Sequence, residues 1–401
     1  MKKSLLFIPG PVPVAEPVLA AMSKPMIDHR GPAFAELLRG IVERLQPIFG
    51  TKSEIVTLGA SGTGGLEAAL VSTFSAGAKL LACPVGVFGQ RFVSIARAYG
   101  CNVEVLETPL GNALDPGALA SRLRADRDKA IKGVLLTHNE TSTGVENNMS
   151  DLAEATREHG ALTLVDSVSG MGASDFRMDD WGFDLVVSAS QKVFAAPPGL
   201  AMIALSRRAW DAIERAEIPS FYFDLRKARE FASLGQTPWT PPISILFALD
   251  VALARYHAEG AKHVWHRHAL YARAIRAAFA ALGMRIFSAP GAHSNTVVAA
   301  RIPAGISAEA LLKTMREDRG VILSGGQLEL KGKIVRMGTM GDVSQTDVLG
   351  AIGALEIALL ENDVEVQIGS AVQAALRTFI KPDDEQNMDG QTGVRTTAAS
   401  S

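Results

Sequence analysis

Short β-branched apolar runs alternate with helix-spaced amphipathic segments through the first half of the chain, which is the pattern of strands separated by crossover helices. From Pro32 onward, Phe34, Leu37, Leu38, Ile41, Val42 and Leu45 fall on one helical face, predicting a helix that ends near Pro47. Strands are predicted over residues 55–58, 80–84, 103–106, 133–137, 162–165, 183–187 and 202–205. Helices are predicted over 66–70, 90–99 and 151–159, with another opened by Asp115 as cap and Pro116 at its first position. Such alternation implies an α/β fold: a large domain with a mostly parallel sheet covered by helices on both faces. A long helical stretch over 243–282, broken near Gly260, leads into a smaller α+β region with strands at 297–302, 321–323 and 334–337 and helices at 307–317 and 347–360. The expected organisation is an N-terminal arm (1–25), a large domain (26–255), a small C-terminal domain (256–378) and a disordered polar tail (379–401). Pro9, Pro11, Pro13 and Pro17 keep a helix interior out of the arm.

With 47% hydrophobic and 20% charged residues and a net charge of -2, the chain is neither disordered nor basic enough to favour nucleic acid as a partner. Cys83 and Cys101 form no C-x-x-C pair, so neither a disulfide framework nor a structural metal is expected. His263, His266 and His268 lie within an amphipathic helix and read as part of a solvated face. No stretch approaches 18 apolar residues, and Lys2 and Lys3 precede only four apolar positions. No membrane association is therefore expected, and the expected location is the cytoplasm.

Three features carry candidate chemistry. A strand feeds the turn Gly59-Ala60-Ser61-Gly62-Thr63-Gly64-Gly65 and then a strong helix former, so free N–H groups and hydroxyls face an anion, most naturally phosphate. The turn matches neither G-x-x-x-x-G-K-[ST] nor G-x-G-x-x-G, and no acid occurs between Glu67 and Glu104 to hold a ribose. Lys192, in SASQKVFAAPPG, follows an apolar strand at the sheet edge where ligands bind, and a partly desolvated lysine there becomes a nucleophile able to form a Schiff base. Asp166 ends a strand at the same edge, where a carboxylate needs a cation or strong donor. Arg336 ends a later strand and either pairs within the small domain or grips a carboxylate.

Seven motifs in order, IPGPVPV, ASGTGGLEAA, THNETSTGV, LVDSVSG, SASQKVFAAPPG, TPWTPPIS and VRMGTMG, resemble those of the class V aminotransferases, fold type I enzymes using pyridoxal 5'-phosphate. The likeness is greatest to the alanine/serine–glyoxylate aminotransferase branch. It implies that Lys192 holds the cofactor covalently and moves the substrate proton, while Asp166 keeps the ring nitrogen protonated. It implies further that Ser61, Gly62 and Thr63 cradle the phosphate with Gln191 and with Thr240 of the neighbouring subunit, in a homodimer with sites at the interface. Phe88 would stack on the ring where many relatives have tryptophan, Val168 would pack on its other face, and Thr141 would lie near the ring oxygen. Arg336 would bind the substrate carboxylate, with Gly10 of the arm beside it, and Thr237 stands where some members have tyrosine. The implied reaction moves an amino group from alanine or serine to glyoxylate or pyruvate. A lyase or desulfurase on the same fold, or a non-catalytic subunit, are the alternatives.

Overall fold

The computed structural model describes residues 4–303 and 305–381. Seven strands form the central sheet in the order Glu54–Gly59, Leu200–Leu205, Leu185–Ala189, Leu162–Asp166, Ile131–Thr137, Lys79–Ala82, Asn102–Val105. All neighbours are parallel except Leu200–Leu205, which runs antiparallel on both sides. Alternate side chains feed two apolar cores. Val186, Val165, Leu136 and Met202 face helices Pro32–Phe49 and Ile243–Glu259, whereas Val187, Leu164, Leu135 and Ile203 face helix Gly62–Thr73. Burial on both faces explains why these strands read as continuous apolar runs.

A third core joins helices Ala261–Ala281, Ala308–Glu317, Gln345–Leu360 and Ser370–Ile380 to a three-stranded antiparallel sheet of Val297–Arg301, Ile334–Gly338 and Ser324–Gly325. Phe7 of the N-terminal segment is buried in this core, and Leu5–Leu6 pairs in parallel with Val321–Ile322. Ser344 and Asp347 form a complete capping box for helix Gln345–Leu360.

Two local expectations change. Helix Pro32–Phe49 runs two residues past Pro47 and closes on Gly50 at φ +61°. Proline costs one hydrogen bond in that last turn but its φ is helical, and the glycine supplies the left-handed residue that terminates the helix. The arm also contains a short helix, Glu16–Ala21, with Pro17 in its first turn, where no N–H partner is lost. Of the polar tail predicted from 379, Phe379 and Ile380 complete helix Ser370–Ile380, and residues 382–401 lie outside the described residues.

Candidate active site

Strand order places Asp166 and Lys192 at one edge. Asp166 is the last residue of its strand and pairs with Val187 of the next, whose strand ends at Ala189, three residues before Lys192. Asp166 is only 5% exposed, and its Oδ1 accepts the Val168 N–H at 3.0 Å. Burial pushes its carboxyl up to about 6, the Val168 bond opposes this, Glu140's charge adds to it, and Lys192's charge works against it. Withdrawal from water brings the Lys192 amine down to about 8, against the pull of Asp166 and with the repulsion of Arg336 and Arg91. The two groups therefore act on each other, and the amine is neutral far more readily than an exposed lysine.

The arm crosses above them. The Lys192 amine donates to the Pro9 carbonyl, and Gly10 follows at φ +112°, where a Cβ would fall 2.7 Å from Lys192 Nζ. Gly10 thus abuts Lys192 directly. The same segment passes Gly338, whose N–H donates to the Phe7 carbonyl at 2.7 Å, two residues from Arg336.

The glycine-rich turn becomes the start of helix Gly62–Thr73, capped by Ser61, whose Oγ accepts the Gly64 N–H at 3.4 Å. The first turn of the helix packs close against its neighbours because glycines occupy it. A Cβ on Gly62 would stand 2.7 Å from Val168 Cγ2, and one on Gly65 would stand 2.8 Å from Val187 Cγ1. This brings Gly62, between Ser61 and Thr63, beside Val168. Arg91 donates to Thr63 Oγ1 at 3.1 Å and lies 4.7 Å above the Phe88 ring.

Arg336 is 4% exposed, with Nε donating to the Gly325 carbonyl at 2.9 Å and Nη1 to the Thr141 carbonyl at 2.8 Å. Burial brings its guanidinium down to about 10, countered by Glu140. Thr141, 2% exposed, thereby links the antiparallel sheet to the segment that follows strand Ile131–Thr137. Gln191 is half-buried, and its Oε1 is buried without a partner. Thr240 stands exposed on the loop whose Pro242 flanks Gly59, and Thr237 is buried with Oγ1 donating to the Trp239 carbonyl at 2.8 Å.

Glu140, Ser142, Arg91 and Pro9 were not assigned from sequence. Glu140 lies three polar residues beyond the apolar run that ends at Leu136, and Arg91 lies one helical turn beyond Phe88. His268 is buried, with Nδ1 on the Val264 carbonyl at 2.8 Å, rather than part of a solvated face. Burial also holds both thiols, Cys83 and Cys101, above their usual range.

These residues suit pyridoxal phosphate. A helix start with free N–H groups, two hydroxyls and a neighbouring arginine suits a phosphate dianion, and a buried acid suits a protonated ring nitrogen. The fold and the site together define a pyridoxal-phosphate-dependent transferase of fold type I. The family model "Aminotransferase class-V" matches residues 18–340, and the chain belongs to that family. It is 38% identical over 379 residues to the soluble hydrogenase 42 kDa subunit of Anabaena cylindrica, covering 94% of this chain and 99% of that one. It is 36% identical over 379 residues to the serine–glyoxylate aminotransferase of Methylorubrum extorquens, covering 92% and 94%. The solved ureidoglycine–glyoxylate aminotransferase of Bacillus subtilis superposes with a TM-score of 0.89 at 30% identity, covering 95% of this chain and 99% of that one. The chain is a pyridoxal-phosphate-dependent aminotransferase acting on an amino acid and a keto acid.

Proposed function

We propose that the chain transfers the amino group of a small amino acid, alanine or serine, to glyoxylate or pyruvate. The observation that carries this is the convergence of Lys192, Asp166 and Arg336, from two different sheets, on one buried edge beneath the arm. When bound, pyridoxal phosphate supplies an aldehyde that takes up the substrate's amino group and a ring that accepts the electron pair left at Cα. Ser61, Gly62, Thr63 and Gln191 would hold its phosphate, Phe88 and Val168 would flank its ring, Thr141 would lie near the ring oxygen, and Asp166 would keep the ring nitrogen protonated. Arg336 grips the substrate carboxylate and so turns Cα–H toward Lys192. The neutral Lys192 amine would take up that proton at Nζ and give it back in the second half of the reaction, with the Pro9 carbonyl accepting its N–H in the free chain.

The acceptor follows from the glyoxylate named in two similar proteins. The small donor follows from the family motifs, which offer no second arginine for a dicarboxylate. A homodimer in the cytoplasm, with Thr240 of each subunit reaching the other's phosphate, belongs to the same proposal. An exposed aromatic group supports it: Phe221 is 69% exposed and stacks on Trp239 at 4.7 Å, next to Thr240. A desulfurase needs an accessible thiol near the substrate, and burial of Cys83 and Cys101 argues against one. The similarity to a hydrogenase subunit favours no loss of catalysis, since Lys192, Asp166 and Arg336 are all kept.

A half-reaction screen tests this. Alanine or serine should bleach the visible absorbance of the bound cofactor and glyoxylate should restore it, while aspartate acts far more slowly. Bleaching by aspartate alone would refute the small-donor proposal, and a colourless protein that takes up no cofactor would favour a non-catalytic subunit.

Arg336→Lys is expected to raise KM for both substrates about 10–100-fold with a smaller effect on kcat, because an ammonium cannot grip a carboxylate at two points while also holding the Thr141 and Gly325 carbonyls. Steady-state kinetics decide it. An unchanged KM would remove Arg336 from the substrate site.

A further inference from the structure

Three consecutive residues after strand Ile131–Thr137 tie together parts of the site that lie far apart in sequence. Glu140 is fully buried, and its carboxylate takes four hydrogen bonds. Oε2 accepts the N–H groups of Phe88 at 2.9 Å and Gly89 at 3.1 Å. Oε1 accepts the Ser142 N–H at 3.0 Å and hydroxyl at 2.6 Å. Ser142 Oγ in turn accepts the Val87 N–H at 2.9 Å. The first three N–H groups of helix Val87–Ala98, which no residue within a helix can satisfy, are thus all held by residues about 50 positions away. The helix's own cap, Gly86, has no side chain to do this, and a Cβ there would meet Glu140 Cγ and Ser142 Oγ at 2.5 Å.

A serine or aspartate at position 86 would cap the helix at lower cost than a carboxylate buried from another element. What the tertiary cap adds is a fixed relation between two places. Helix Val87–Ala98 carries Phe88 and, one turn on, Arg91, which lies over the Phe88 ring and bonds Thr63. The segment that carries Glu140 and Ser142 also carries Thr141, whose carbonyl bonds Arg336.

We propose that Glu140 is a positioning residue of the cofactor site, locking the helix start that bears Phe88 to the segment that bears Thr141 and steadies Arg336. The inference rests on the roles given above to Phe88, Thr141 and Arg336. Glutamine at this position would turn an N–H₂ toward donors and lose at least one pair of bonds, and aspartate is too short by one methylene to span both.

The test is titration of cofactor-free apoprotein with pyridoxal phosphate, followed by tryptophan fluorescence and by visible circular dichroism of the bound cofactor. Glu140→Gln should weaken binding about 10–100-fold, the worth of a lost charge-assisted hydrogen-bond pair. It should also shrink the dichroic band per bound cofactor and raise KM for the carboxylate substrate, with the melting temperature of the apoprotein lowered by loss of the same bonds. A merely structural glutamate would lower the melting temperature and leave the dichroic band of the bound fraction intact, which would overturn the proposal. So would binding and dichroism both unchanged. If Glu140→Gln does not fold, Ser142→Ala carries the test: it removes the acceptor for Val87 and one donor to Glu140, and binding about 3–10-fold weaker is expected. Unaltered binding and dichroism in Ser142→Ala would then overturn the proposal. Failure of the wild type to bind pyridoxal phosphate would strike the cofactor site as a whole, a result distinct from a wild type that binds and a Glu140→Gln that binds equally well.

Discussion

Lys192→Ala is expected to abolish the visible absorbance of protein-linked cofactor and to lower turnover by about 10³-fold or more, since both covalent attachment and proton transfer at Cα are lost with the amine. The physical basis is its position. An amine brought down to about 8 by burial is protonated at neutral pH in the free chain but loses its proton at small cost, whereas an exposed lysine would not. Capture of added cofactor by the wild-type apoprotein should therefore quicken as pH rises through about 8 and level off above it. Absorbance spectra and single-turnover rates decide the matter. Wild-type turnover in Lys192→Ala would end the assignment.

Asp166→Asn is expected to reduce kcat by about 10²–10³-fold, because the anion that keeps the ring nitrogen protonated is gone while the shape of the site is kept. The same change should act oppositely on the apoprotein. The folded carboxyl titrates near 6, above the ordinary value of 3.8, so folding favours its neutral form. That contribution is fully present below about pH 4 and is lost as pH rises through 6. Above pH 6 the buried anion costs the apoprotein at most about 3 kcal/mol, a cost that asparagine does not bear. Urea unfolding of both apoproteins at pH 4.5 and pH 8 should show the advantage of Asp166→Asn growing with pH. A stability difference that does not change with pH, together with near-normal kcat, would mean that Asp166 faces no cationic ring nitrogen.

Much of this site was readable in one dimension because each part obeys a local rule. Lys192 and Asp166 stand at the ends of apolar strands, and parallel strands put such ends at one edge. The Ser61–Thr63 turn is marked by its glycines, which the packing of Gly62 on Val168 explains. The role of Glu140 is not legible in its motif, because its partners are backbone N–H groups of a helix about 50 residues earlier. Backbone donors leave no trace in residue identity. Arg91 is hidden for a related reason: an arginine on an amphipathic helix reads as solvated until the fold sets Thr63 beside it. His268 likewise reads as surface from helical periodicity, and only the packing around helix Ala261–Ala281 buries it.

By itself, then, the order of apolar and polar residues determined the α/β class, the ends of most strands, and the lysine, acid and glycine turn that any such edge would present. That follows because side-chain period and strand-end position are properties of a short stretch. The tertiary structure alone decided that Arg336 bonds the Thr141 carbonyl, that the Pro9 carbonyl meets the Lys192 amine, and that Glu140 caps the helix of Phe88. Each of these joins segments about 50 to 195 residues apart. Contacts at such separation are set by how whole layers pack and by burial that leaves polar groups no solvent to turn to.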